Sequence, residues 1–97
     1  MKAIICNKWC KPEDLKVLEV ASPKLELDSV RIDVHAAGVN FPDVLIIQGK
    51  YQYKPEFPFS PGSEVSGIIT EIGAEVKNFN VGDRVMAVTG HGAFAEE

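Results

Sequence analysis

Val30, Ile32, Val34 and Ala36 alternate with Arg31, Asp33 and His35. A period of two puts successive side chains on opposite faces, so this stretch reads as a half-buried strand. Other strand signals surround it. Lys2–Cys6 is a short apolar run, and Leu15–Val20 is another, entered from the turn-like Lys11-Pro-Glu-Asp14. Glu64–Ile72 is strand-like, but its apolar parity shifts between Val65 and Ile68. Gly67 sits at the shift, so a bend or bulge is expected there, as at a barrel corner. Gly82-Asp83 reads as a tight turn separating Phe79–Val81 from Arg84–Thr89, and Gly92–Glu97 begins a further strand. One short helix is expected. Asn40 can cap it, Pro42 is tolerated in its first turn, and Asp43 suits its positive end. Val44–Ile47 form its buried body, and Gly49 is a left-handed stop. Lys50–Pro61 carries three prolines and four aromatics. Prolines at that density prevent a regular element, so it is read as an irregular loop. Many short strands and one small helix give a mainly β fold, a partly open β-barrel.

The 97 residues make one domain. A net charge of −4 leaves no basic stripe to neutralise phosphates, which argues against nucleic-acid and anionic-membrane partners. The apolar runs are too short to span a bilayer, and Met1–Cys6 lacks the long apolar stretch of a signal peptide. Cys6 and Cys10 are too few for a disulfide framework, so a reduced, cytoplasmic protein is the default.

Candidate ligands for a metal are Cys6, Cys10, His35, His91, Asp43 and Glu64. Cys6 and Cys10 are four apart with no second pair, unlike a structural zinc site. They read as small core residues, and His35 as a solvated side chain on the polar side of its strand. Asn40 and Asp43 have two compatible readings. They are a cap and a first-turn acid, or they line a cleft where an amide offers donor and acceptor to a carboxamide or ribose. Tyr51 is either a surface aromatic or a pocket wall whose phenol serves as a weak acid, and Tyr53 is an equal candidate. Pro61–Gly67 and Val81–Val85 read as structural turns. Gly90-His-Gly-Ala93 is no dinucleotide fingerprint, since it lacks Gly-x-Gly-x-x-Gly.

The order and spacing of Ala36–Asp43, Gly49–Tyr51, Pro61–Gly67 and Val81–Val85 resemble the N-terminal catalytic domain of the medium-chain dehydrogenase/reductase superfamily. Its zinc-free quinone-oxidoreductase branch, the zeta-crystallin-like enzymes, is the most similar. The resemblance implies a GroES-like domain over residues 1–97, truncated before a Rossmann domain expected C-terminal to Glu97. Zinc-dependent relatives carry Cys where Asn40 stands and Gly-His-Glu where Gly62-Ser63-Glu64 stands, so no metal is expected. The resemblance places Asn40 beside the nicotinamide half of NADPH (or NADH), with Phe41 packing nearby and Asp43 beside them. It makes Tyr51 a catalytic candidate, because a Tyr at this point is the proton donor in similar enoyl reductases. The implied substrate is a small quinone or enone, the implied assembly a homo-oligomer, and the fragment alone is expected to be catalytically silent. An enoyl-thioester reductase and a non-enzymatic GroES-like binding module are the alternatives.

Overall fold

A computed structural model covering Met1–Glu97 places the alternating segment in strand β3 (Val30–Ala37). It pairs antiparallel with β4 (Glu64–Ile72), which pairs antiparallel on its other side with β5 (Arg84–Val88). A smaller sheet joins β1 (Lys2–Ile5) to β2 (Lys16–Glu19), with a 3₁₀ turn at Pro12–Asp14 between them. Both sheets are open, and β2 and β5 each have an unpaired edge. No helix is long and apolar enough to cross a membrane.

The expected strand over Gly92–Glu97 is instead a short seam between the sheets. Ile4 N–H donates to Phe94 O at 2.8 Å, Glu96 N–H to Lys2 O at 3.1 Å, and Val34 N–H to Glu96 O at 2.8 Å. Ala3 and Ala95 form a single bridge there. Phe79–Val81 forms no strand, because Val81 and Gly82 are the centre of the turn closed by Asp83 N–H on Asn80 O at 3.1 Å.

The irregularity expected at Gly67 lies elsewhere. Val65, Gly67 and Ile69 keep one parity and are all buried. The register breaks where Arg31 faces Glu71 and Ile32 faces Ile69, leaving Thr70 as the extra residue of β4. It breaks again where Val34 faces Gly67 and Ala36 faces Ser66, leaving His35 as the extra residue of β3. That second bulge reverses the strand's parity, so Ala36 is exposed and Ala37 half-buried. The exposed His35 ring lies 3.1 Å from Asp33 Oδ2.

Helix α1 (Phe41–Ile47) forms where its caps require. Asp43 accepts the Asn40 N–H at 2.7 Å, the acidic arm of a capping box. Gly49, at φ 69°, ends it in the left-handed region. Ile46 and Ile47 pack with Cys6 and Phe59 into a core cluster, against which Cys10, Leu15 and Tyr51 also pack. Only 14 of the 97 residues are buried, so each core contact carries a large share of the stability.

Candidate functional site

The start of α1 exposes two of its expected site residues and hides the third. Asn40 is exposed and Phe41 is 79% exposed, whereas Asp43 is 5% exposed with one oxygen committed to the Asn40 N–H. The capping chemistry that starts the helix therefore also fixes the backbone under Asn40.

The chain leading to this helix lines, as far as Gly38, an open groove of about 510 Å³ where the end of β3 meets the start of β4 and the end of β5. Asn40 and Phe41 are not among its lining residues. Ala36, Ala37, Gly38, Glu64, Met86 and Val88 line it. Met86 and Val88 are each 88% exposed. Gly38 lies against the Glu64 side chain, and its N–H donates to Glu64 O at 3.1 Å. The lining is apolar apart from Ser66 and Glu64 and contains no cation. Such a lining suits an uncharged group better than a pyrophosphate, which needs basic side chains or a run of free backbone N–H groups.

The two tyrosines of the 50–61 loop have different surroundings. Tyr51 is half-buried against Cys6, Ile46, Ile47 and Phe59. Tyr53 is exposed, and its hydroxyl lies 2.6 Å from His91 Nδ1. The His91 ring meets Phe59 edge-on at 6.0 Å, so the pair adjoins the core cluster that holds Tyr51. The Tyr53–His91 pair was not legible in the sequence, where His91 appears only as a possible metal ligand. Its partner is 38 residues away, and the one local signal is the pair of glycines flanking His91.

No three His, Cys, Asp or Glu side chains converge as a metal site would require. Cys6 and Cys10 are free thiols with sulfurs 3.8 Å apart; Cys6 is in the core as expected, whereas Cys10 is only half-buried against it. Burial first, and the neighbouring Cys10 thiol second, pushes Cys6 up to about 11 from 9.0. The native chain then keeps a proton that the unfolded chain loses between those values. That contribution leaves stability untouched below about pH 9 and is lost progressively on the way to about pH 11. Urea midpoints measured from about pH 8 to about pH 10.5 should show this fall, and the Cys6→Ala chain should lack it. Parallel curves for the two proteins would contradict it.

Residues 26–97 match the family model of the alcohol dehydrogenase GroES-like domain. The chain belongs to this family. The GroES-like domain is 44% identical to a quinone oxidoreductase-like protein 2 homolog of Nematostella vectensis, over 99% of this chain and 26% of that protein. It is 42% identical to quinone oxidoreductase-like protein 2 of Rattus norvegicus, over 99% of this chain and 27% of that one. Among solved structures, a probable oxidoreductase from Mycobacterium abscessus superimposes with a TM-score of 0.90 at 43% identity, covering 99% of this chain and 30% of that one. The Escherichia coli quinone oxidoreductase complexed with NADPH gives a TM-score of 0.91 at 31% identity, covering 99% of this chain and 29% of that one. These likenesses place the domain in the medium-chain dehydrogenase/reductase superfamily, as its motifs suggested. The chain spans about a quarter of the length of the curated relatives described here.

Proposed function

We propose that this GroES-like domain is the N-terminal, cleft-forming part of a cytoplasmic, zinc-free NAD(P)H-dependent oxidoreductase that reduces quinones or other α,β-unsaturated carbonyls. One observation carries the reading. The apolar, cation-free groove that the chain lines up to Gly38, two residues before Asn40, suits a neutral ring and is unsuited to phosphates. The nicotinamide, when bound, supplies the hydride. Asn40 presents its amide to the nicotinamide carboxamide, Phe41 packs near it, and Asp43 anchors the backbone beneath. The pyrophosphate belongs to a Rossmann domain outside this sequence. By the family resemblance, Asn40 and Ser63 stand where zinc-dependent relatives carry Cys and His, which supports the zinc-free reading.

Tyr51 is one proton donor for this chemistry. The Tyr53–His91 hydrogen bond supports a second reading, in which Tyr53 donates and His91 re-supplies the proton from solvent. The test is NADPH oxidation with 1,4-benzoquinone by the complete protein that carries this domain, with and without a chelator. Chelator-resistant turnover is expected. Asn40→Ala should lower kcat/KM about tenfold, the worth of one hydrogen bond. The tyrosine whose Phe variant loses more than about tenfold in kcat is the donor. Turnover on enoyl thioesters alone would move the assignment to the enoyl-reductase branch. Silence on both substrates, or loss of activity with the chelator, would overturn the reading.

A homo-oligomer is part of the same proposal. The open edges of β2 and β5, with exposed Val17, Met86 and Val88, favour self-association. Light scattering should give a mass that rises with concentration, and a constant monomer mass would contradict it.

A further inference from the structure

Cys6 and Cys10 take no part in the groove or in the Tyr53–His91 pair. Their sulfurs are 3.8 Å apart, and the backbone holds both residues in place. Cys6 exchanges two hydrogen bonds with Phe59, N–H to Phe59 O at 2.8 Å and O from Phe59 N–H at 3.1 Å. Cys10 N–H donates to Ile47 O at 2.8 Å. The residues between them are thus tied down at both ends, and the sulfurs are kept adjacent. We propose that Cys6 and Cys10 form a two-electron redox site, oxidised in place to an intramolecular disulfide by a small peroxide.

Access sets the order of events. Cys6 is 1% exposed, while Cys10 lines a surface cavity of about 190 Å³ together with Lys8, Asp14 and Lys16. A peroxide reaches Cys10 first. The Cys10 sulfur attacks one peroxide oxygen, the O–O bond breaks, and a sulfenic acid and one water result. The Cys6 sulfur then attacks the Cys10 sulfur. The S–S bond forms, the S–O bond breaks, and the oxygen leaves as a second water with the Cys6 proton. Two thiols have lost two electrons and two protons, and the peroxide has been reduced to two waters. The raised pKa of Cys6 supports this order, because a buried, protonated thiol is a poor first nucleophile and is needed only for the intramolecular step.

The site has a neighbour that reports on it. Cys6 Sγ donates to Lys8 O at 3.0 Å, a bond that the disulfide removes. Trp9, the one tryptophan of the chain, follows directly. Its indole lies over Gly49 and meets the Phe57 ring edge-on at 4.5 Å. Rearrangement of the Lys8 carbonyl therefore moves a ring packed on the loop that carries Tyr51 and Tyr53.

The experiment treats the full chain with hydrogen peroxide, quenches it, then denatures and alkylates it before measuring intact mass. A monomer lighter by two hydrogens is expected, with both thiols lost to alkylation and both restored by dithiothreitol. Trp9 emission should change along the same time course. In the Cys6→Ala chain, Cys10 should stop at a sulfenic acid that dimedone captures. In the Cys10→Ser chain, the folded protein should keep Cys6 as a thiol. Three results would overturn the proposal. They are a dimer cross-linked through Cys10, a Cys10 sulfinate with Cys6 still alkylated, and two unreacted thiols at a peroxide dose that oxidises free cysteine. The wild-type mass alone decides among them, so the test does not depend on either variant folding.

Discussion

Replacing Gly67 with alanine should destabilise the domain by about 3 kcal/mol or more, although only one methyl group is added. In an ordinary strand the same change would help, since glycine in a strand interior costs about 0.5–1 kcal/mol relative to alanine. The sign reverses here because of what faces the glycine. Gly67 is buried in β4, directly opposite Val34, beside the bulge at His35. A Cβ built there would overlap the Asp33 carbonyl oxygen and come within 2.7 Å of Ile32 Cγ2. A flexible side chain could swing aside, but the Asp33 carbonyl belongs to the neighbouring strand. The methyl fits only if β3 and β4 separate, and they are the most extensively paired strands of the larger sheet. For a domain of this size a loss of about 3 kcal/mol lowers Tm by about 12 °C or more. Thermal and urea unfolding of the two chains measure it. Gly82→Ala is the control, because that site has φ 94° with no atom within 4 Å and should lose only about 1 kcal/mol. An unchanged or raised Tm in Gly67→Ala would show that strand crowding contributes nothing.

Gly67 also shows how far the sequence could be read. It was read as the bulge itself, whereas the extra residues are Thr70 and, across the sheet, His35. A bulge is a property of a strand pair, and pairing is not written in either strand alone. The strand over Val30–Ala36 and the helix after Asn40 were legible because their signals are local, a period of two and a cap with its acid three residues on. For the same reason Asn40 was legible as the residue that starts the helix. The burial of Asp43 follows from its capping bond and was half visible. Tyr51 and Tyr53 could not be separated, since a loop with three prolines has no period to say which ring faces in. The seam of Phe94–Glu96 against β1 and β3 joins residues more than sixty positions apart, beyond any local pattern.

That seam carries the second large effect. Gly62→Ala should cost about 2–4 kcal/mol, from two sources that act together. Gly62 has φ 86°, a region that an L side chain enters at a cost of about 1 kcal/mol. Its Cβ would also lie 2.6 Å from the Phe94 ring and 2.9 Å from Ala93 Cβ. Gly62 cannot back away from them. Its carbonyl accepts the Ala93 N–H at 3.1 Å, Pro61 O accepts Phe94 N–H at 2.9 Å, and Ser60 O accepts Gly92 N–H at 2.7 Å. The added methyl therefore pushes on the segment that runs from His91 into the seam. Its effect should spread to the amides the seam protects, so hydrogen exchange at Ile4, Val34 and Glu96 should accelerate. Gly92→Ala separates the two causes. Gly92 has φ 101° but no atom within 4 Å, so its variant should lose about 1 kcal/mol and leave those three amides as slow as before. Fast exchange in both variants would assign the loss to backbone strain. Fast exchange in Gly62→Ala alone would show that Phe94, pressed onto a glycine that must stay bare, is what holds the two open sheets together.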